Sequence, residues 1–512
     1  MASPQVVIGL DVGTTGVKAA AFGLGSPWHG VAIREYPLQQ PAPGQQVQDP
    51  GILLESTADA LAECARAVRP AEVVAVSLSA GMHGLVGFGA DGRPVTPLVT
   101  WADARSRDEA RELHRTGQAA ALHALTGVPV HPMTPLTKLL WFRRHDPATW
   151  RRVRWWGGLK DLLLGWLTGA LATELSSASG TGLLDMSTRT WSTAALDLCG
   201  LSADDLNPIQ PPTAVLALAP AAARRVGLSG GTPVVAGAAD GPLGNLGTGA
   251  LAPGIAGLSL GTSGAVRMAV DGPRVDPHHR LFCFALTEEV WFVGGATSNG
   301  ASAVRWAGAT LAHDVRAAAG DVGTDDAVLD LAATVPPGCD GLVMLPHLLA
   351  ERAPLWDPDL PGAYLGLRRE HGREHLLRAA VEGVCLQLRL VLDELDAVEP
   401  VTSVRATGGA FRSHLWREVT AAALGRPLVV VDGADGTARG AAALGLLALG
   451  RAPALGDAAA QLAGPEGPPP PVEVDPDVAA AYDRLKASVA GMIDRLGPVA
   501  TLFARSSGGW GD

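Results

Sequence analysis

The sequence predicts an α/β fold built from two related domains. One segment, Gly9-Leu-Asp-Val-Gly-Thr-Thr-Gly-Val-Lys18, returns later in the chain as Gly257-Leu-Ser-Leu-Gly-Thr-Ser-Gly-Ala-Val266. Each copy reads as an apolar strand, a turn of glycines and hydroxyl residues, and a second apolar strand. The chain has 512 residues, more than one hydrophobic core usually supports, and its strand and helix patterns alternate. Together these observations favour a duplicated domain.

The repeated turn has the composition of a phosphate-binding loop. Its glycines let successive backbone N–H groups converge on an anion, and its hydroxyl groups add donors. The predicted phosphate contacts are Thr14, Thr15 and Gly16 in the first copy and Gly261, Thr262 and Ser263 in the second. The plainer alternative is a pair of hairpin turns, because Gly and Thr are common beside strands. Agreement between the copies in strand pattern, loop length and hydroxyl placement favours phosphate binding.

The two copies differ at a position that bears on metal binding. The first carries Asp11 where the second carries Ser259. A nucleotide held between two related half-molecules needs a metal-binding carboxylate on only one side. Mg²⁺ is usually bound by one or two carboxylates together with phosphates and retained water. We therefore predict that Asp11 holds Mg²⁺, through water.

Composition narrows the class of protein. The formal net charge of −11 argues against a general nucleic-acid binder, which would need a basic face. The five cysteines are odd in number and lack CxxC spacing, so neither a disulfide framework nor a zinc site is indicated. The first residues lack a secretory-signal pattern, and charge and glycine interrupt the apolar run 159–171. We expect a cytoplasmic protein with neither nucleic-acid nor membrane partners.

The element patterns can be read in order along the chain. Apolar runs predict strands, apolar residues at helix spacing predict helices, and proline breaks both. In the first half the pattern predicts strands within 6–22, 73–79 and 233–240, helices at 53–68, 105–123 and 136–144, and a loop at 127–135. In the second half it predicts strands at 290–294, 342–346, 404–409 and 428–431 and helices from 298, 373–397 and 437–449.

The C-terminal segment differs in composition from the rest. Residues 464–471 predict a stiff proline-rich linker, 478–496 a last helix, and 506–512 a frayed end. The helix could serve an interface or pack back onto the second domain. We therefore predict an N-terminal domain at 1–250, a C-terminal domain at 251–463, and a linker, helix and tail at 464–512.

Two longer motifs resemble those of a known family. The first is Met133-Thr-Pro-Leu-Thr-Lys-Leu-Leu-Trp-Phe-Arg-Arg-His145; the second joins Gly362-Ala-Tyr-Leu-Gly-Leu367 to His375-Leu-Leu-Arg-Ala-Ala-Val-Glu382. From about Val7 to Leu449 the chain resembles the FGGY family of sugar kinases. The resemblance implies two duplicated actin-like (ribonuclease H-like) ATPase domains with a cleft between them. It also implies phosphoryl transfer with ATP and Mg²⁺.

A sugar kinase needs a base that accepts the proton of the attacking hydroxyl group. Asp240 ends an apolar strand between the small residues Ala239 and Gly241, so its carboxylate has room to project. In the resembling kinases the aspartate at this position is the proton acceptor, which implies the same catalytic role for Asp240. The alternative role for this residue is to cap the following helix.

The resemblance also implies nucleotide contacts. Ala406-Thr-Gly-Gly-Ala-Phe-Arg412 is similar to the family's adenosine motif, where glycines permit close approach of the backbone to the nucleotide. The implied adenosine contacts are Gly408, Gly409 and Ser413, with Gly300 as their companion. Lys18 is similar to the basic residue that follows the first phosphate loop in the family. An alternating strand could equally turn Lys18 to solvent.

Residues for the acceptor sugar follow two strands of the first domain. Ser79-Ala-Gly-Met-His-Gly84 is similar to the substrate loop of xylulose and gluconate kinases, which implies that Met82 and His83 border the polyol. Trp101 and Asp103 belong to a second implied segment, in which Asp103 could bind sugar hydroxyls and Arg105 brace the loop. An isolated histidine is otherwise more often structural.

Within the family the finer resemblance is to the gluconate kinases, for example at Glu351-Arg-Ala-Pro-Leu-Trp356. It implies transfer of the ATP γ-phosphoryl group to D-gluconate. The gluconate carboxylate would need a cation or donors, and His131, Arg267 and Arg352 are the candidates. The alternatives are a kinase for xylulose or another pentulose or polyol, and a non-metabolic actin-like ATPase. The resemblance also implies a possible homodimer.

Overall fold

The computed structural model describes residues 4–25, 29–276, 278–319, 324–349, 351–357, 360–431, 435–463 and 469–506. Part of the predicted linker, 464–468, and nearly all of the predicted frayed end lie outside the described residues. The chain forms two compact units. Unit 1 comprises Met1–Leu251, Ala269–Val293 and Asp435–Glu466, and unit 2 comprises Ala252–Met268, Gly294–Ala434 and Gly467–Asp512. Both units are discontinuous in sequence, whereas the domain boundaries proposed above divide the chain linearly and stay a prediction.

The strands fall where alternating or continuous apolar patterns predict them, with short pairs added in the connections. In chain order they are β1 (Gln5–Val12), β2 (Gly16–Gly23), β3 (His29–Glu35), β4 (Val47–Gln48), β5 (Glu72–Ala80), β6 (Val86–Phe88), β7 (Leu98–Val99), β8 (Trp155–Gly157), β9 (Thr173–Glu174), β10 (Leu184–Asp185), β11 (Thr190–Trp191), β12 (Ile209–Gln210), β13 (Val215–Ala217), β14 (Pro233–Ala239), β15 (Ile255–Leu260), β16 (Gly264–Val270), β17 (Phe282–Ala285), β18 (Trp291–Thr297), β19 (Val343–Leu345), β20 (Ala363–Leu365), β21 (Ser403–Thr407) and β22 (Leu428–Val430).

The helices follow the predicted apolar spacing, with one division. The pattern at 105–123 predicts one helix, but Gly117, at φ 75°, separates two. In chain order the helices are α1 (Pro50–Ala67), α2 (Arg107–Arg115), α3 (Gln118–Thr126), α4 (Pro135–His145), α5 (Pro147–Arg152), α6 (Leu159–Thr168), α7 (Leu175–Ser179), α8 (Thr193–Cys199), α9 (Pro220–Val226), α10 (Asp240–Thr248), α11 (Ala301–Leu311), α12 (His313–Ala319), α13 (Thr324–Ala333), α14 (Arg373–Val398), α15 (His414–Leu424), α16 (Gly436–Ala448), α17 (Leu455–Leu462) and α18 (Pro476–Ser506). Within the described residues, no helix combines the length and the apolar character that crossing a bilayer requires.

Unit 1 contains a six-stranded sheet in the order β13-β14-β5-β1-β2-β3. Strands β1, β5 and β14 are parallel, while β2 and β3 extend the sheet antiparallel. Side chains alternate across the sheet: Ile8 and Leu10 pack with the α1 and α6 layer, whereas Val7 packs with α10 and α16. Because both faces are covered, the parallel strands are mostly apolar, and their carboxyl ends share one edge of the sheet.

Strand β14 contains a bulge just before its carboxyl end. Val235 pairs with Ser77 and Ala238 with Ser79, so two residues of β14 lie opposite Leu78 alone. One of the two, Gly237, has φ 73°. A Cβ atom there would lie 1.7 Å from the Leu78 carbonyl oxygen. The bulge therefore requires glycine on both conformational and steric grounds.

We expect Gly237→Ala to lower the free energy of unfolding by about 2 kcal/mol or more, because positive φ and the clash both act at this position. Urea unfolding of the variant measures the loss. Gly230→Ala is the matched control, since among the described residues no atom beyond its two chain neighbours lies within 4 Å of its Cβ position. Equal unfolding midpoints for the two variants would contradict a steric requirement at the bulge.

The second six-stranded sheet has the order β17-β18-β16-β15-β21-β22. In unit 2, β15 pairs antiparallel with β16 and parallel with β21, which repeats the strand–turn–strand arrangement of β1 and β2. The last helix, α18, packs within unit 2. The Tyr482 hydroxyl group donates to Glu382 on α14 at 2.8 Å, and Lys486 pairs with Asp393 at 2.9 Å. Of the two roles considered for this helix, these contacts support packing onto its own unit.

Candidate active site

The first glycine loop is a tight turn between β1 and β2. The Gly13 N–H donates to the Gly16 carbonyl oxygen at 2.9 Å. The Tyr36 hydroxyl group donates to the Gly13 carbonyl oxygen at 2.6 Å, which fixes the turn from one side. Thr15 is exposed and Thr14 partly exposed. The turn is thus held from the protein side while its hydroxyl residues remain accessible to a ligand.

Asp11 lies on β1 beside this loop. The Ser79 hydroxyl group donates to its carboxylate at 2.7 Å. Burial raises the pKa of Asp11 to about 6; the Ser79 hydrogen bond lowers it, and the nearby charge of Asp240 raises it further. Two mutually repelling carboxylates in a partly buried site suit a divalent cation, because the cation would relieve their repulsion. The residues present therefore fit the metal predicted for Asp11.

Lys18 lies directly opposite Asp11 in the β1–β2 pair. Side chains of directly opposed residues in antiparallel strands project from the same face. The Lys18 ammonium group is 3.2 Å from a carboxylate oxygen of Asp435, and its charge lowers the pKa of Asp11. Lys18 therefore lies on the Asp11 side of the sheet and contributes positive charge there.

Asp240 is the first residue of α10, directly after β14. Its carboxylate accepts a hydrogen bond from the Gly241 N–H at 2.8 Å. The N-cap position of α10 belongs to Ala239, so the geometry does not give Asp240 the capping role considered above. At the carboxyl-terminal edge of the unit 1 sheet, Asp240 lies near enough to Asp11 for its charge to raise the pKa of Asp11.

Met82 and His83 line a cavity in unit 1. The cavity is also bordered by Lys160, Asp161, Ser177 and Thr181. His83 has φ 63°, and its Nδ1 atom lies 2.7 Å from the Gly180 carbonyl oxygen, so its ring orientation is fixed. Hydroxyl groups beside apolar walls suit a polyol. Trp101, Asp103 and Asp240 are not among the residues that line this cavity.

Trp101 links the acceptor segment to the first phosphate loop. Its indole N–H donates to the Thr14 hydroxyl oxygen at 2.9 Å. Asp103 is used differently: its side chain is 0% exposed, and its two oxygens accept from Arg105 Nε and Nη2, each at 2.8 Å. It also accepts from the Gln46 N–H at 2.7 Å. This geometry favours bracing of the loop by Asp103 over contact with a sugar.

Lys138 on α4 is a site residue that the sequence reasoning missed. It is fully buried, and its ammonium group donates to the carbonyl oxygens of His83, Thr100 and Met133 at 2.7, 2.7 and 2.8 Å. These three carbonyls belong to three loops, two of which carry predicted sugar contacts. Lys138 therefore holds the acceptor segments together. A single lysine among buried apolar residues of a helix was the available signal.

We expect Lys138→Met to raise the KM for the sugar by about tenfold or more, because three buried carbonyl groups lose their donor and the loops shift. The KM for ATP should stay unchanged. Steady-state kinetics with each substrate varied in turn measures both constants. Lys486→Met, which removes an ion-paired lysine of unit 2, serves as the control. An unaltered sugar KM in Lys138→Met would refute the role in loop placement.

The second glycine loop, in unit 2, is held by the start of α11. The Ala301 N–H donates to the Gly261 carbonyl oxygen at 2.8 Å, and the Gly300 N–H donates to that of Thr262 at 3.0 Å. A Cβ atom at Gly300 would lie 2.8 Å from the carbonyl oxygens of Gly261 and Ser263. Gly300 thus permits close packing onto the loop, while Gly261 and Thr262 remain exposed.

The predicted adenosine residues lie beside this second loop. Gly408 follows β21, which pairs with β15, and a Cβ atom at Gly408 would lie 2.2 Å from the Leu260 carbonyl oxygen. Gly408 and Gly409 are both exposed, and in the described part of the chain no atom beyond the two neighbours of Gly409 lies within 4 Å of its Cβ position. Ser413 is the N-cap residue of α15. Unit 2 therefore gathers its predicted nucleotide residues at one exposed edge.

Two of the residues predicted to bind a gluconate carboxylate form hydrogen bonds within the protein. His131 is buried and its Nδ1 atom accepts from the Met133 N–H at 3.2 Å. Arg352 is buried and donates to the Ser298 hydroxyl oxygen at 3.1 Å and the Thr297 carbonyl oxygen at 2.8 Å. Arg267 lies on β16. These contacts favour structural roles for His131 and Arg352.

Each of the two α/β units carries an exposed loop of glycines and hydroxyl residues between paired strands, and unit 1 adds the carboxylates of Asp11 and Asp240. These are features of an actin-like phosphotransferase. Comparison with known families makes the class specific. The chain belongs to the FGGY family of carbohydrate kinases: the N-terminal domain of that family matches residues 6–247 and the C-terminal domain matches residues 256–449. It is therefore a phosphotransferase that acts on a sugar hydroxyl group, and the kinases of this family use ATP.

Individual relatives agree with this assignment. Gluconokinase of Bacillus subtilis (strain 168) is 33% identical over 450 residues, 87% of this chain and 88% of that protein. Xylulose kinase of Escherichia coli (strain K12) is 30% identical over 447 residues, 86% of this chain and 90% of that protein. The crystal structure of gluconate kinase from Lactobacillus acidophilus superposes with a TM-score of 0.92 at 29% identity, covering 98% of this chain and all of that one. The predicted duplicated actin-like fold is confirmed.

Proposed function

We propose that this kinase transfers the γ-phosphoryl group of ATP to the terminal hydroxyl group of D-gluconate, giving 6-phospho-D-gluconate. The observation that carries the proposal is the position of Asp240 and Asp11 at the carboxyl-terminal edge of the unit 1 sheet, where the charge of Asp240 raises the pKa of Asp11. Similarity to gluconokinases and the segment Glu351-Arg-Ala-Pro-Leu-Trp356 support gluconate as the acceptor.

In the proposed reaction, Asp240 accepts the proton of the acceptor hydroxyl group while its oxygen attacks the γ-phosphorus. The new oxygen–phosphorus bond forms, the bond from the γ-phosphorus to the β-bridging oxygen breaks, and ADP leaves. Asp11 would hold Mg²⁺, which when bound neutralises phosphate charge. Thr14, Thr15 and Gly16 donate to the phosphate, and Lys18 adds positive charge. The Ser79 hydroxyl group orients Asp11 throughout.

For unit 2 we propose the nucleotide contacts. Gly261, Thr262 and Ser263 would donate to phosphate oxygens, because their loop is exposed and held from behind by α11. Gly408 and Gly409 would lie against the adenosine, since neither has a side chain to block approach to the exposed backbone. Ser413 and Gly300 would support them.

A kinase for xylulose is the second candidate, because the Escherichia coli xylulose kinase is only slightly less similar than the gluconokinases. The actin-like ATPase without a sugar acceptor is excluded as an alternative, since both domains match the carbohydrate kinase family.

A coupled assay of ADP release over gluconate, xylulose, ribulose and glycerol tests the substrate. We expect kcat/KM to be highest for gluconate. Preference for xylulose would overturn the gluconate assignment alone. Equal ADP release with and without every sugar would overturn sugar phosphorylation itself. Chelation of divalent cations should stop turnover, and Mg²⁺ should restore it.

We propose further that the enzyme works in the cytoplasm, where ATP is supplied and thiols stay reduced. All five cysteines are buried. The proposed homodimer is tested by sedimentation of the purified protein, for which one mass of twice 52.5 kDa is expected.

A further inference from the structure

A second buried lysine lies beside the end of β14, the strand that Asp240 directly follows. Lys160, near the start of α6, is 1% exposed in unit 1. Its ammonium group donates to the carbonyl oxygens of Ala236, Ala238 and Leu78 at 2.7, 3.1 and 3.2 Å. With three carbonyl partners for three N–H donors, Lys160 has no donor left for substrate.

The three carbonyl groups surround the β14 bulge. Ala236 and Ala238 flank Gly237, and Leu78 is the single residue of β5 that lies opposite the bulge. A bulge disrupts the strand ladder locally, and buried carbonyl groups without partners are costly. The Lys160 ammonium group is the charged donor for these carbonyl groups, of which that of Ala238 lies two residues before Asp240.

Glu174 completes a buried ion pair with Lys160. One carboxylate oxygen lies 3.7 Å from the Lys160 ammonium nitrogen, and both side chains are at most 1% exposed. Glu174 is the N-cap of α7 and accepts from the Ser176 N–H at 2.5 Å. The Ser176 hydroxyl oxygen in turn accepts from the N–H of Ala239 at 3.2 Å. The pair thus contacts the end of β14 in two ways. Lys160 donates to the Ala238 carbonyl oxygen, and Ser176, whose N–H donates to Glu174, accepts from the Ala239 N–H.

We propose that the buried Lys160–Glu174 ion pair positions Asp240 for proton abstraction. Both members are positioning residues, since they act through the backbone of β14 and through Ser176. The inference rests on the proposed role of Asp240 as the base. Glu174, Asp161 and Asp240 are among the acidic groups whose charges act on Lys160. An uncharged side chain of equal length would satisfy neither the bulge carbonyls nor Glu174.

Lys160→Met is expected to lower kcat by about 100-fold, because displacement of a reacting group by about 1 Å has effects of that size. The KM for ATP should stay unchanged, since the predicted adenosine residues belong to unit 2. Lys486→Met is the control: it removes an ion-paired ammonium group of unit 2, 2.9 Å from Asp393, and should leave kcat and both KM values near wild type. A wild-type kcat in Lys160→Met would overturn the inference.

A double variant separates positioning from folding. Lys160→Met leaves Glu174 as an unpaired buried charge, which is strongly destabilising, whereas removing both charges is often tolerated. Lys160→Met with Glu174→Gln should therefore recover the thermal midpoint while kcat stays low. Recovery of wild-type kcat in the double variant would show that the pair only stabilises the fold. If the single variant does not fold, the double variant decides alone.

The result is distinguishable from failure of the proposed function. Undiminished turnover in Asp240→Asn would refute the proposed role of Asp240 as the base, whatever Lys160→Met shows. An inactive Asp240→Asn together with a fully active Lys160→Met contradicts only the ion pair's role. Loss of kcat in both, with ATP binding retained, is the expected result.

Discussion

Asp240→Asn is expected to lower kcat by about 10²- to 10⁴-fold, the usual contribution of a general base. This equals about 3 to 5 kcal/mol in the activation barrier. The amide is nearly the same size as the carboxylate but cannot accept the proton of the sugar hydroxyl group at neutral pH. Its oxygen keeps the capacity to accept from the Gly241 N–H. Folding and ATP affinity should therefore stay close to wild type. Single-turnover kinetics and equilibrium ATP binding measure the two quantities.

The control for this substitution is Asp276→Asn. Asp276 is a buried carboxylate of unit 1 that accepts from the backbone N–H groups of Arg280 and Leu281 at 3.0 and 2.8 Å. Its loss should lower thermal stability and leave kcat unchanged. Near-normal turnover in Asp240→Asn, or equal losses of kcat in both variants, would remove Asp240 from its assigned role.

Asp11→Asn is expected to abolish turnover at cellular Mg²⁺ concentrations, because the amide cannot supply the charge that attracts the metal. The same substitution should stabilise the protein at neutral pH. Burial raises the pKa of Asp11 from 3.8 to about 6, so the folded state favours the protonated form. The corresponding stabilisation is fully present below about pH 3.8 and is lost as pH rises through about 6. At pH 7.5 the neutral amide avoids that loss, so the free energy of unfolding of Asp11→Asn should exceed that of wild type by about 1 to 3 kcal/mol.

Urea unfolding of wild type and Asp11→Asn at pH 7.5 and pH 5 measures this effect. The variant should be the more stable protein at pH 7.5, and the difference should narrow at pH 5, where Asp11 of the wild type gains its proton. Added Mg²⁺ at high concentration should restore part of the activity. A variant that is less stable at pH 7.5, or active without added metal, would contradict the account of this carboxylate.

The fold class could be predicted because the same strand–turn–strand pattern occurs twice in the sequence. The β1–β2 and β15–β16 pairs begin and end within a few residues of the predicted strands. The positions of Asp11 and Asp240 in the fold could be predicted for a related reason: Asp11 lies near the end of the apolar strand β1 and Asp240 directly follows the apolar strand β14. Such local patterns survive in sequence because they depend on neighbours along the chain.

The supporting residues could not be predicted, since they depend on contacts between distant segments. In the sequence, Lys160 is only an interruption of the apolar run 159–171; its meaning depends on the bulge at Gly237, which no local pattern indicates. Likewise Asp103 reads as a free carboxylate, and only the structure shows that Arg105 occupies both of its oxygens. The hydrogen bond from Trp101 to Thr14 also joins segments 87 residues apart.

Phosphorus NMR of the product tests the central claim most directly. Wild-type enzyme incubated with ATP, Mg²⁺ and D-gluconate should convert the γ-phosphate into a phosphate monoester in step with ADP formation. Because a terminal hydroxyl group is carried by a methylene carbon, its two protons should split the ester signal into a triplet. Inorganic phosphate as the only new signal, or an ester split by a single proton, would contradict transfer to the terminal hydroxyl group of gluconate.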